Sequence, residues 1–346
     1  MERLSVLAQL PAVLLDWYAA NHRELPWRQD REPYHVWLSE IMLQQTRVEA
    51  VKGYYSRFLS QLPTVQALAE CSNDVLSKLW EGLGYYSRMW NLKKAANILV
   101  SQYGGAFPRT YDEIRALPGV GDYTAGAVCS IAFDLPTPAV DGNVLRVVTR
   151  LTEDDTPIDL PAFKAAVRED LAKIYPIRAG DFTQALMELG ATLCGPNRPA
   201  ECALCPCRSF CAAGIHGTPA KYPVKLPRRQ RREEERTVFI LRCGDRFALT
   251  RRPDMGLLAG LWQFPDTAGT MEIPEAVEYL SNQGVNVRQI LRQVDRKHIF
   301  THILWKMRGI YLEVSEEAPV FVWYTLSQID GEAALPTAYR QFREEL

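Results

Sequence analysis

The stretch CGPNRPAECALCPCRSFC, residues 194–211, places five of the chain's eight cysteines within eighteen positions. Four follow the pattern Cys194-x7-Cys202-x2-Cys205-x5-Cys211, and Cys207 falls outside it. The N-terminal run LSVLAQLPAVLL has the apolarity of a secretory leader. Glu2 offsets Arg3, however, no small-residue cleavage site follows, and Leu7, Leu10 and Leu14 recur at helical spacing. A cytoplasmic chain is therefore expected, where thiols stay reduced and a disulfide framework does not form. Cysteines in that setting bind metal. Zinc ribbons usually bring two Cys-x2-Cys knuckles separated by a longer span, whereas this loop has one such pair and two outlying thiols. Four thiolates on one short segment suit a single cubane, so one [4Fe-4S] cluster is the expected occupant and zinc the alternative.

The chain of 346 residues is too long for one ordinary core and predicts two domains. With 47% hydrophobic and 23% charged residues and no apolar run of membrane-spanning length, it is a globular, non-membrane sequence. A net charge of −1 argues neither for nor against nucleic acid. Between Lys221 and Arg236, seven Lys or Arg against three Glu give a local +4, read as a solvated linker or as a phosphate contact. Helical periodicity runs to about residue 215, including single segments at 5–21 and 34–60. Beyond the linker, TVFILRCGDRFALTRR reads as two strands joined by a Cys-Gly-Asp turn. EAVEYLSNQG reads as a helix, and HILWKMRGIYLEV and VFVWYTL as further strands. That is an α+β domain.

Three local features carry chemistry. In ALPGVGDYTAGAV, residues 116–128, Gly119 and Gly121 permit a tight turn with backbone N–H groups at the next helix start. It is either a plain helix connection or an anion site suited to a DNA phosphate. Twenty residues later Asp141 stands at the mouth of a helix, where an N-cap is the simplest reading. Glu40 has Val36, Trp37, Leu43 and Gln44 as its helical neighbours. A carboxylate among them either edges the solvent or is desolvated, which lifts its pKa above about 4.3 and makes it a candidate general acid.

Taken together, the cysteine loop, the hairpin and the aspartate resemble the iron-sulfur branch of the helix-hairpin-helix DNA glycosylase superfamily. That branch usually spaces its first two cysteines by six residues. The seventh residue here falls in the Pro-Asn-Arg-Pro loop, residues 196–199. The motifs LPWR, PYHVWLSEIMLQQT, EGLGYYSR, NLKKAA and VDGN narrow the resemblance to the MutY-type adenine DNA glycosylases, over nearly the whole chain. It implies an all-α helix-hairpin-helix glycosylase domain with an iron-sulfur cluster loop, followed by an α+β Nudix-like domain. The implied boundaries are a catalytic domain at 1–220, with the hairpin module about 27–133 and an iron-sulfur subdomain formed by the N-terminal helix and about 134–215. A basic linker at 221–236 and a lesion-recognition domain at 237–346 follow.

The resemblance assigns roles residue by residue. Glu40 protonates adenine, and Asp141 stabilises the sugar cation or bonds to it. Gln45 and Tyr85 wedge into the DNA stack, Gly119 and Gly121 hold a phosphate, and Arg28, Tyr123, Asn143 and Gln184 line the pocket. Relatives that also cut the backbone carry a lysine where this chain has Tyr123, so base removal without an efficient lyase step is expected. Cys194, Cys202, Cys205 and Cys211 hold the cluster. RFALTRRPDMGLLAGLWQFP resembles a Nudix-type fold, but no magnesium-binding helix follows it. Phe300-Thr301-His302 matches the family's Phe-Ser-His lesion reader, with Thr for Ser, and either hydroxyl serves as donor and acceptor. The implied partner is double-stranded DNA with adenine opposite 8-oxoguanine or guanine, bound by a monomer in a bacterial cytoplasm. A pyrimidine-lesion glycosylase with lyase activity and a non-catalytic iron-sulfur DNA-binding protein are the competing readings.

Overall fold

Helices succeed one another from Arg3 to His216 in the computed structural model, which describes residues 2–196, 200–227 and 230–346. Residues 197–199 of the Pro-Asn-Arg-Pro loop, and Arg228 and Arg229 of the basic run, lie outside the described residues. The helices are α1 (Arg3–Leu7), α2 (Leu10–Asn21), α3 (Pro33–Leu43), α4 (Val48–Gln61), α5 (Val65–Glu70), α6 (Asn73–Trp80) and α7 (Ser87–Tyr103). They continue with α8 (Tyr111–Arg115), α9 (Asp122–Phe133), α10 (Gly142–Thr152), α11 (Pro161–Ala172), α12 (Ala179–Ala191) and α13 (Ala212–His216). None is long and apolar enough to cross a membrane.

Two expected single helices are divided. The 5–21 segment breaks after Leu7 because Pro11, at the start of α2, cannot donate to the helical ladder and its ring crowds the carbonyl four residues back. The 34–60 segment breaks between Leu43 and Val48, where Thr46 N–H bonds back to the Leu43 carbonyl and Gln45 takes a left-handed φ of 57°. Periodicity gave no hint of that turn, since Gln, Thr and Arg continue a helical pattern acceptably.

The chain forms two compact units. The first joins Met1–Ala69 to Asn91–Pro227. In it, Leu7, Leu10 and Leu14 are fully buried against Val148 of α10 and Phe182 and Leu186 of α12. The α12 backbone lies directly on the start of α10 because residue 190 is glycine: a Cβ there would stand 2.7 Å from Cβ of Asn143. Gly119 is required twice over, by its φ of +77° and by Asn91, whose Cβ would sit 2.6 Å from an added Cβ.

The second unit joins Glu70–Trp90 to Arg228–Leu346. Its strands are β1 (Arg232–Cys243), β2 (Arg246–Arg251), β3 (Trp262–Gln263), β4 (Asp266–Ala268), β5 (Val287–Ile299), β6 (Ile303–Val314) and β7 (Val322–Thr325). The helices α14 (Ile273–Ser281), α15 (Leu326–Gly331) and α16 (Thr337–Arg343) complete it. The sheet runs β3-β2-β1-β6-β5, with β4 on β1 and β7 on β2. Alternation along β1 sends Val238 and Ile240 to the face covered by Ala338 and Phe342 of α16. Phe239 and Leu241 go to the face covered by Ala276 and Leu280 of α14. Both faces are therefore buried, as the apolar run TVFIL requires. β1 begins inside the stretch read as linker, because parallel pairing with β6 starts at Arg232, where the Glu234 carboxylate accepts from Trp305 Nε1 at 2.8 Å.

Candidate active site

A cleft of about 710 Å³ in the first unit collects residues from widely separated places in the chain. Arg28 comes from the short turn Pro26–Arg28, Glu40 and Gln44 from α3, Tyr123 from α9, and Asp141 and Asn143 from the start of α10. Gln45 and Gln184 also line it. α3 is buried from Val36 to Met42 without interruption, which is why its one carboxylate is dry: Glu40 is 6% exposed.

The Tyr123 hydroxyl donates to Glu40 Oε2 at 2.5 Å. Burial pushes the Glu40 pKa up to about 7; the Tyr123 hydrogen bond opposes that rise, Asp141 adds to it and Arg28 opposes it. Tyr123 itself is held well above the ordinary phenol range by burial and by the neighbouring carboxylates, so it stays a neutral donor. Asp141 is at once the N-cap of α10 and a wall of the cleft: its Oδ1 accepts from Val144 N–H at 2.7 Å and its Oδ2 from Asn143 Nδ2 at 2.6 Å. Burial raises its pKa, while those donors favour the anion. Asn143 is oriented in turn by Arg146, whose Nη2 donates to Asn143 Oδ1 at 2.8 Å. The two carboxyls thus differ in kind. Glu40 has a single donor in an apolar setting, and Asp141 has donors on both oxygens.

Sequence reasoning missed Glu188. Its side chain is fully buried on α12 and takes hydrogen bonds from Arg23 Nε at 2.6 Å and Arg28 Nη2 at 2.8 Å. A lone acid in the apolar run ALMELGA was the available signal; the arginines that pair with it stand 165 and 160 positions earlier, in RELPWR.

The hairpin residues lie at the start of α9. Gly121 is its N-cap in extended conformation, no side chain caps the helix, and the space where a Cβ would project is open. Tyr85, Phe300, Thr301 and His302 fall in the second unit. Tyr85 is 44% exposed with a left-handed φ of 49°, and its hydroxyl lies 3.2 Å from Thr301 Oγ1. Thr301, His302 and Tyr85 line a cleft of about 490 Å³ with Trp90 and Leu258. Phe300 is pinned edge-on between His298 at 4.5 Å and Trp305 at 4.9 Å.

Of the loop cysteines, Cys194, Cys202, Cys205 and Cys211 are half-buried, whereas Cys207 is 1% exposed within the apolar core beside Phe210. Arg150 Nη1 donates to Cys194 Sγ at 3.2 Å, and Gly214 N–H to Cys211 Sγ at 3.4 Å. A Cβ on Gly214 would stand 3.4 Å from the Cys211 sulfur and 4.0 Å from that of Cys202, so both sulfurs face one small cradle. Among the described residues no three His, Cys, Asp or Glu side chains close on a single metal-ion position.

Residues 38–173 match the HhH-GPD superfamily of base excision DNA repair proteins, and residues 237–345 match the NUDIX domain. An adenine DNA glycosylase of Rattus norvegicus is 40% identical over 95% of this chain and 76% of its own length. The chain belongs to the adenine DNA glycosylase family. The adenine DNA glycosylase of Buchnera aphidicola from Acyrthosiphon pisum is 30% identical, covering 91% of both chains. Among solved structures, a thermostable thymine-DNA glycosylase superposes with a TM-score of 0.56 at 28% identity, covering 62% of this chain and 98% of that one. Endonuclease III trapped as a covalent intermediate with DNA gives 0.52 at 26% identity, covering 63% and 99%. This adenine DNA glycosylase is thus a MutY-type enzyme acting on N-glycosyl bonds, a helix-hairpin-helix domain followed by a Nudix-like one. Its relatives of the endonuclease III and MutY type typically carry an iron-sulfur cluster.

Proposed function

We propose that this enzyme removes adenine mispaired with 8-oxoguanine or guanine from duplex DNA, without an efficient strand-cleaving step. The observation that carries this reading is the pair of dissimilar buried carboxyls in one cleft. Adenine leaves poorly until its imidazole-ring nitrogen is protonated, and its departure leaves an oxocarbenium sugar. Glu40, lifted by burial to about 7, supplies the proton. Asp141, with hydrogen-bond donors on both oxygens, opposes the cation or bonds to it transiently. Because Tyr123 occupies Oε2 of Glu40, the acid proton is left to Oε1. Arg28, Asn143 and Gln184 line the base pocket with Tyr123.

Adenine reaches that pocket by leaving the duplex, which costs a few kcal/mol and is easier at a mispair. The strained backbone at Gln45 and Tyr85 suits two residues that wedge the stack. The Gly119–Gly121 turn, with open backbone at the start of α9, suits a phosphate. Phe300, Thr301 and His302 read the base opposite adenine. No step of this scheme needs a partner subunit.

Cys194, Cys202, Cys205 and Cys211 would hold one four-iron cluster, for which the N–H groups aimed at two of the sulfurs and the shared cradle at Gly214 are suitable surroundings. Such a cluster supplies a rigid scaffold for the loop, and the reacting atoms are elsewhere. Iron and acid-labile sulfide assays on the purified protein test it; stoichiometric zinc without iron would contradict it. The activity itself is tested with duplexes bearing adenine opposite 8-oxoguanine, thymine glycol or uracil, scored for base release with and without alkali. Free adenine, with strand breaks only after alkali, is expected. Release of an oxidised pyrimidine instead would contradict the reading.

A further inference from the structure

The catalytic scheme makes no use of the most deeply buried carboxylate in the cleft. Glu188 is fully buried, and it accepts from the Arg23 backbone N–H at 3.1 Å, Arg23 Nε at 2.6 Å, Arg23 Nη2 at 2.9 Å and Arg28 Nη2 at 2.8 Å. Arg28 also donates through Nη1 to the Arg23 carbonyl at 3.1 Å and stacks over the Tyr18 ring at 5.6 Å. A buried carboxylate so saturated with donors is an anion: burial alone would raise its pKa, and the two arginines bring it below the ordinary glutamate value.

Arg28 is the cation that faces Glu40. The other charged or titratable groups facing it are Tyr123 from α9 and Asp141 ahead of α10. An unopposed guanidinium there would favour ionised Glu40 and so remove the acid. A guanidinium free to rotate would also no longer define one edge of the base pocket. We infer that Glu188 is a positioning residue for base excision, which fixes Arg28 at the edge of the cleft and offsets its positive charge beside Glu40.

This inference rests on Glu40 acting as the general acid, and the two claims separate experimentally. Single-turnover release of adenine is followed against pH for the full-length native enzyme and for Glu188→Gln, Glu188→Asp and Glu40→Gln. Glu188→Gln should slow release about tenfold and move the alkaline limb of the profile to lower pH by about half a unit or more, because the uncompensated arginines favour the Glu40 anion. Glu188→Asp retains the charge and should leave the limb in place, with a rate between the two. An unmoved limb or an undiminished rate in Glu188→Gln overturns the inference, since a purely structural role would lower the rate at every pH alike. If Glu188→Gln does not fold, Arg23→Gln decides. It leaves more of the Glu188 charge to act on Arg28, so the limb must move to higher pH, and an unmoved limb overturns the inference. Retained release by Glu40→Gln would refute the acid assignment itself. An inactive Glu40→Gln beside an unmoved Glu188→Gln limb would refute only the role of Glu188.

Discussion

The Tyr123 hydroxyl and the Glu40 carboxyl are joined by a 2.5 Å hydrogen bond although 83 positions separate them in the chain. The bond favours the Glu40 anion and occupies Oε2, leaving Oε1 as the oxygen available to a proton. Tyr123→Phe removes it without changing the ring. The Glu40 pKa should then rise further above about 7, and the alkaline limb of adenine release should move to higher pH. The plateau rate should fall about tenfold because the carboxyl is less well aligned. A single-turnover pH profile of the variant shows both effects.

The same burial has a cost to folding. Glu40 stands at about 7 in the folded chain against an ordinary 4.5. Folding therefore favours the neutral acid: the stability is fully present below pH 4.5 and is lost as pH rises through about 7. Glu40→Gln has no proton to lose, so its stability relative to the native enzyme should increase across that window and then level off. The difference should be on the order of 3 kcal/mol. Calorimetry at about pH 5 and about pH 8 compares the two proteins near either end of the window.

With a phenol at position 123 in place of an amine, no imine to the sugar can form there. Borohydride should trap little covalent enzyme-DNA adduct, and strands should part only after alkali. Abundant trapping would require another lysine as nucleophile.

Lesion choice should respond to the Tyr85–Thr301 contact region. Thr301→Ala combined with His302→Ala removes the two polar side chains that follow Phe300 and line the second cleft. Each direct hydrogen bond to a base edge discriminates by roughly 1–3 kcal/mol. The double variant should therefore lose at least several-fold of the preference for adenine opposite 8-oxoguanine over adenine opposite guanine, measured as a ratio of single-turnover rates. An unchanged ratio would move lesion choice to the helical unit.

Much of this was legible in the sequence, for identifiable reasons. Leu7, Leu10 and Leu14 announced a buried face by spacing alone, and Asp141 is both the cap that its position suggested and a wall of the cleft. β5 escaped notice because it is exposed along most of its length: Arg, Gln, Lys and Asp predominate, and only Val287, Val294 and a few others turn inward. α16 was missed because seven residues reading TAYRQFR are too short for periodicity, although Tyr339 and Phe342 are fully buried. The turn at Gln45 and the contact of Tyr85 with Thr301 arise from tertiary structure, the latter across 216 positions. Local pattern carries no trace of either. Glu188 was hidden for a similar reason, since only the fold brings Arg23 and Arg28 to it.

The central claim, that Glu40 protonates the departing base, is tested most directly by single-turnover adenine release from a duplex with adenine opposite 8-oxoguanine, comparing native enzyme with Glu40→Gln. The amide keeps the shape of the side chain and cannot donate the proton. Glu40→Gln should bind the mispaired duplex with nearly native affinity and release no measurable adenine. Adenine release at a near-native rate by Glu40→Gln would contradict it.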